Sequence, residues 1–283
     1  LDLRGTAEAG SVVYIVIDNY GTVAGSVTAG ADGKWSFPTT ANYNQTYNFH
    51  AYSIDKAGNR SEDSSQFAIT VDTVNNAPVI TGSYDDVQGG VYNGLVGNGG
   101  VTNDRGLDLR GTAEAGSVVY IIDPATGGTY GSAVAAANGA WSYPVTTNYN
   151  KLYEFQAYSI DRAGNRSANS SKFGITVDTV NNAPVITGSY DDVQGGVYNG
   201  LVGNGGVTND RGLDLRGTAE AGSVVYIIDP ATGGTYGSAV AAANGAWSYP
   251  VTTNYNKLYE FQAYSIDRAG NRSANSSKFG ITV

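Results

Sequence analysis

The chain has 283 residues with no cysteine and no methionine, 39 glycines, 21 tyrosines and a formal charge of −9. Disulfides and thiol chemistry are excluded, so stability must come from burial, which a bound metal could supplement. The charge is mild and even, with seven acids and four bases in residues 1–71 and nine acids and six bases in each later unit, which lacks the basic stripe of a nucleic-acid binder.

In chain order, Leu1-Asp2-Leu3-Arg4-Gly5 reads as the middle of a repeat, without a signal peptide, so the expectation is an excerpt of a longer protein. The stretch LDLRGTAEAGSVVYI begins at Leu1, Leu107 and Leu213, a period of 106 residues. Residues 72–177 and 178–283 are identical, whereas 1–71 align with 107–177 with substitutions such as Ile17-Asp18-Asn19 for Asp123-Pro124-Ala125. This period is too long for one solenoid turn and suits a whole domain. The expected domains are 1–71, 72–177 and 178–283, the later two each opening with a linker. Exact duplication adds length in proportion but adds little to a catalytic site, so repetition favours a spacer over an enzyme.

Within 72–177, seven strands are predicted. They are Pro78–Tyr84, Leu107–Ala113, Ser117–Asp123, Thr129–Ala135, Ala140–Val145, Lys151–Ile160 and Lys172–Val177. Asn138-Gly139 is a hairpin signal, because both residues reach positive φ cheaply. No segment has a 3.6-residue period, so helix is not expected, and apolar runs fall short of the ~18 residues of a membrane helix. The predicted fold is all-β: tandem immunoglobulin-like β-sandwich domains in an elongated array. Trp35, Trp141 and Trp247, on the fifth strand, are expected as core anchors rather than sugar platforms. Val87–Asp104 is expected to be a long connection, and Gly94–Gly100 a flexible loop without the Lys-Ser/Thr of a phosphate cradle. Residues 1–71 have no counterpart of Pro78–Tyr84, so the expectation is either an exposed sheet edge or a preceding strand lost to truncation or disorder.

An up-and-down path gathers Asp72, Glu114 and Asp161 at one pole of the second domain, and Asp178, Glu220 and Asp267 at the same pole of the third. Asp85, Asp86 and Asp104, like Asp191, Asp192 and Asp210, fall toward the opposite pole. Packed carboxylates repel by ~1 kcal/mol or more per close pair, and a cation would relieve this. With only oxygen ligands and a single His50, the implied ion is hard, Ca²⁺ before Mg²⁺, and not zinc. His50 is replaced by Gln156 and Gln262 in the later units, which excludes a repeated catalytic role. The sequons at Asn59, Asn165 and Asn271 read as turn residues.

GTAEAGS before a strand, NGAWSY or DGKWSF, then AYSIDRAGN and ITVDTVNNAPVIT follow one another in this chain. This succession resembles the bacterial Ig-like repeats of giant Gram-negative surface adhesins, of the biofilm-associated and RTX type exported by type I secretion. The resemblance implies an extracellular, cell-surface extender that carries a distal adhesive domain outside this stretch. It also implies Ca²⁺ between neighbouring repeats of one monomeric chain, with no membrane insertion. It makes Asp55, Asp161 and Asp267 in the turn after the long strand, and Asp72 and Asp178 in the linkers, the implied ligands. The pairs Asp85-Asp86 and Asp191-Asp192 are further candidates. The linker VDTVNNAP departs from the VDTTAP pattern common in the family. Carbohydrate- or partner-binding modules with Tyr-rich faces, and accessory repeats of a secreted hydrolase, are the competing readings.

Overall fold

The computed structural model describes residues 1–42, 44–87, 94–148, 150–193 and 200–283. The first unit contains β1 (Asp2–Thr6), β2 (Val12–Ile17), β3 (Thr22–Thr28), β4 (Lys34–Pro38), β5 (Gln45–Ile54) and β6 (Phe67–Val71). The second contains β7 (Val79–Asp85), β8 (Gly94–Val96), β9 (Gly100–Thr102), β10 (Gly106–Thr112), β11 (Val118–Ile122), β12 (Thr129–Val134), β13 (Ala140–Thr146), β14 (Lys151–Ile160) and β15 (Phe173–Val177). The third repeats it as β16 (Val185–Asp191), β17 (Gly200–Val202), β18 (Gly206–Val207), β19 (Gly212–Thr218), β20 (Val224–Ile228), β21 (Thr235–Val240), β22 (Ala246–Thr252), β23 (Leu258–Ile266) and β24 (Phe279–Thr282). Every element among the described residues is a strand or a connection.

In the second unit a four-stranded sheet in the order β13-β10-β7-β8 faces a five-stranded sheet in the order β12-β11-β14-β15-β9. Period-two alternation sends Val119 and Ile121 of β11 into the core, where they meet Leu107, Leu109, Phe155 and Ile175, all fully buried. Tyr120 points outward from the same strand and stacks on Tyr158 across the pair, with ring centroids 5.0 Å apart. Trp141 is only 4% exposed and sits between the sheets, as a core anchor should. Its partner in the β10–β13 register is Gly111, where a Cβ would lie 2.4 Å from the indole ring. The indole can lie flat on β10 because that position has no side chain.

The connection from Val87 to Asp104 corrects the sequence expectation. Residues 88–93 lie outside those described, but the remainder is not a flexible loop. β8 pairs antiparallel with β7, and β9 then pairs parallel with β15 in the opposite sheet. The unit therefore has nine strands rather than seven among the described residues. The glycines serve a tight passage between sheets: Gly99 takes φ +78°, and a Cβ on Gly100 would stand 2.3 Å from Cγ1 of Val96. Val96 itself enters the core with 1% exposure. The glycine-rich composition read as looseness, whereas Val96 between the glycines and Thr102 after them are buried.

The first unit has a two-stranded sheet, β1-β4, facing a four-stranded sheet, β3-β2-β5-β6. Its core holds Leu3, Val13, Ile15, Tyr47 and Phe49. Among the described residues β1 pairs with β4 alone.

Candidate functional site

Three separate stretches deliver acids to one place. Asp72 follows directly on β6. Glu114 sits in the turn between β10 and β11, closed by Ser117, whose backbone N–H and hydroxyl both donate to the Glu114 carbonyl at 3.0 and 2.7 Å. Gly116 makes the turn possible with φ +80°. Asp161 directly follows β14 and organises the turn it opens. Its Oδ1 accepts from the backbone N–H of Asn165 and its Oδ2 from the Asn165 side chain, both at 2.8 Å. One carboxylate oxygen from each of Asp72, Glu114 and Asp161 lies within 4.8 Å of the other two, and Asp178, Glu220 and Asp267 repeat the arrangement.

The linker that carries Asp72 is tied on both sides. Toward the preceding unit, Thr73 donates its backbone N–H to Oδ1 of Asn44 at 2.9 Å. Toward the following unit, Asn75 donates Nδ2 to the carbonyls of Ser159 and Asn165 at 3.0 and 2.8 Å, and its Oδ1 accepts the Ser159 hydroxyl at 3.0 Å. Asn165 also donates to the Asp72 carbonyl at 3.1 Å. Thr179, Asn150, Asn181, Ser265 and Asn271 rebuild these contacts at the second linker. Sequence reasoning missed these asparagines. The doubled Asn75-Asn76 is the only signal, and asparagine is too common in loops for that signal to stand out.

Charge is poorly compensated at both places. Among the described residues, none of the ion pairs involves the six acids. Partial burial, together with the charges of Asp72 and Asp161, pushes the Glu114 carboxyl above its usual range. Glu220 is raised in the same way by burial, Asp267 and Asp178, against an opposing pull from Arg268. Asp161 is 7% exposed, and that burial works to raise its pKa. The hydrogen bonds from Asn165 and the turn amides outweigh it and hold the carboxyl below its usual range. The triad therefore contains a firmly ionised buried carboxylate beside a glutamate that is reluctant to ionise. All the donors are oxygens, which suits a hard divalent cation and offers nothing to zinc or copper.

The other sequence candidates lie elsewhere. Asp55 occupies the turn equivalent to that of Asp161 and is lowered chiefly by the Asn59 side chain, but no third acid joins it among the described residues. Asp85 is buried at the end of β7, where its Oδ2 accepts the Thr102 hydroxyl at 2.5 Å and its Oδ1 the Val87 N–H at 3.0 Å. Asp104 is buried nearby and accepts from the Gly106 N–H through Oδ1 at 2.7 Å. Burial, with the charges of Asp85 and Asp86, raises its carboxyl, while its Oδ2 has no hydrogen-bond partner of normal geometry among the described residues. Asp86 is exposed. Asp191, Asp192 and Asp210 repeat this set, with Thr208 on Asp191 at 2.6 Å. These acids brace the crossing between sheets. Beside them Arg105 reaches Thr179 of the next linker at 3.0 Å.

A family model described as bacterial Ig-like domain matches residues 1–73 and 85–179, together more than half of the chain. A second, described as bacterial Ig domain, matches residues 204–279. No curated protein sequence matches it. Among solved structures, the fibronectin(III)-like modules of CbhA from Clostridium thermocellum are 16% identical, with 66% of this chain and 90% of that one covered and a TM-score of 0.36. The FN1-FN3 domains of chicken CNTN1 are 10% identical, with 99% and 93% covered and a TM-score of 0.35. The BSP domain of a biofilm-associated protein is 12% identical, with 99% and 62% covered and a TM-score of 0.25. With a bacterial Ig-like model accounting for residues 1–73 and 85–179 of an all-β chain built from repeated two-sheet units, the protein belongs to the bacterial Ig-like domain family.

Proposed function

We propose that this chain is an extender segment of a bacterial cell-surface adhesin, whose linkers are stiffened by Ca²⁺ held at Asp72, Glu114 and Asp161 and again at Asp178, Glu220 and Asp267. The observation that carries the reading is the convergence of three carboxylates from a linker, a hairpin turn and a strand end within 4.8 Å, with no basic side chain paired to them among the described residues. A bound Ca²⁺ supplies positive charge that replaces mutual repulsion with shared coordination. Asp72 contributes the linker to this site, Glu114 and Asp161 contribute the following domain, and Asn165 aims Asp161 while holding the Asp72 carbonyl.

The mechanism is ion-dependent rigidity. An ion bound only to the ordered linker adds roughly 2.7 kcal/mol when free Ca²⁺ is one hundred times its dissociation constant. That is comparable with the cost of fixing about two linker residues. Affinity in the ~0.1–1 mM class of extracellular modules fits such a role. The chain then acts as a monomeric, extracellular spacer for a distal adhesive domain and supports adhesion and biofilm formation. The tyrosine-rich outer faces favour a sugar platform less, because Tyr120 and Tyr158 stack on each other and Arg166 lies 3.9 Å over the Tyr158 ring.

Small-angle scattering of the whole chain tests the reading. Removing Ca²⁺ with EGTA should broaden the distance distribution and lower the maximum dimension, and Asp161→Asn with Asp267→Asn should give the same profile with Ca²⁺ present. Superimposable curves with and without EGTA would refute it.

A further inference from the structure

We infer that each unit carries an oxidative cross-linking site. The outward-facing pairs Tyr14 with Tyr52, Tyr120 with Tyr158 and Tyr226 with Tyr264 are placed to join as dityrosine within one chain. The co-reactants are hydrogen peroxide and a haem peroxidase, which removes one electron at a time. Composition selects tyrosine as the target. Cysteine and methionine, the side chains that ordinarily take up oxidising equivalents, are both absent, while tyrosine numbers 21. Among the other oxidisable rings, Trp141 and Trp247 are 4% exposed and sealed between sheets.

Strand register then selects the partner. Tyr120 of β11 stands directly opposite Tyr158 of β14, and their rings are nearly parallel, 12° apart in plane with centroids at 5.0 Å. The equivalent pairs lie at 5.1 Å in the first unit and 5.0 Å in the third. The second face of Tyr158 is capped by the Arg166 guanidinium, 3.9 Å from the ring centroid, and Arg60 and Arg272 cap Tyr52 and Tyr264 at 3.9 and 3.8 Å. All six rings are half-buried. A radical on Tyr158 therefore faces Tyr120 on one side and a cation on the other, and the capped face is closed to a tyrosine of a second molecule.

The step balances. Each ring gives up one electron and its phenolic proton, and the two phenoxyl radicals couple through ring carbons ortho to oxygen. The hydrogens on those carbons move to the oxygens and restore both phenols. Two hydrogens leave per pair, and one hydrogen peroxide is reduced to two waters. The strands already hold the rings side by side, so coupling needs rotation of two side chains and no bimolecular encounter. The product ties β11 covalently to β14, as a disulfide would in a chain that had cysteine.

The test treats the whole chain, at micromolar concentration, with a haem peroxidase and hydrogen peroxide, then isolates the monomer. Intact mass should show the loss of two hydrogens per cross-link, with dityrosine fluorescence in the same fraction. Fragment spectra of the digested monomer should place the new bonds between Tyr14 and Tyr52 and between their counterparts. The combined variant Tyr14→Phe, Tyr120→Phe and Tyr226→Phe keeps an aromatic ring in each pair but removes one phenol, and it should lose the cross-link within the chain. The inference is overturned if the monomer gains no dityrosine, or if the variant forms as much of it as the parent. It is also overturned if the bonds map to Tyr20 and Tyr255, which at 55% and 60% exposure are the sites that accessibility alone would choose.

Discussion

Replacing Glu114 and Glu220 together with glutamine should change stability in opposite directions with and without Ca²⁺. Each glutamate presents an oxygen within 4.8 Å of two other carboxylates. Two unit charges at that distance in water repel by about 0.9 kcal/mol, and physiological salt cuts this by roughly half. Two such pairs therefore cost each site about 1 kcal/mol when no cation is present, equivalent to about 4–8 °C in Tm for a domain of this size. In EGTA the Glu→Gln protein should melt higher than the parent by several degrees. In Ca²⁺ the order should reverse. If losing one anionic ligand weakens binding ~100-fold, most of the roughly 2.7 kcal/mol available at one hundred times the dissociation constant is lost, which exceeds the repulsion relieved. Differential scanning calorimetry in the two buffers reads both signs. A shift of the same sign in both buffers would refute the reasoning, because it would mean that these glutamates act on the fold and not on an ion.

Asn75→Ala with Asn181→Ala removes the contacts that seat each linker on the following domain; at about 0.5–1.5 kcal/mol net per hydrogen bond, proteolysis within the linkers should accelerate while the Tm of each domain core barely moves. Gly111→Ala would place a Cβ 2.0 Å from the Val79 carbonyl and 2.4 Å from the Trp141 ring, costing about 1–3 kcal/mol by chemical denaturation. Gly5→Ala would likewise place a Cβ 2.4 Å from the Trp35 ring. The pH dependence follows from Glu114 and Glu220, whose carboxyls are raised by burial and neighbouring charge. A raised acid stabilises the folded state below its unfolded pKa and loses that contribution as pH rises through the folded value. Without Ca²⁺, Tm should therefore fall as pH climbs through the upper carboxylate range; with Ca²⁺, apparent affinity should rise over the same interval, as followed by titration calorimetry.

Much of this was legible in the sequence, for identifiable reasons. Alternation in Ser117–Asp123 revealed a strand because Val119 and Ile121 on one face are fully buried while Val118 and Tyr120 on the other are only partly buried. The meeting of Asp72, Glu114 and Asp161 followed from strand direction alone, since each acid stands at an element end and successive antiparallel strands return to the same pole. The crossing at Gly94–Thr102 was not legible. Its two three-residue strands are too short for periodicity, and their glycines signal looseness and close packing alike. The partners of Asp85 and Asp104 were also hidden, because Thr102 reaches Asp85 only after the chain has changed sheets. Nothing in local sequence distinguishes such a braced aspartate from one free to bind an ion.

Anomalous scattering from crystals grown in millimolar CaCl₂ is the measurement that bears most directly on the Ca²⁺-stiffened linkers. The account predicts difference peaks lying among Asp72, Glu114 and Asp161 and among Asp178, Glu220 and Asp267, each lost in crystals soaked with EGTA. Ordered carboxylates at both places with no anomalous signal between them would contradict it.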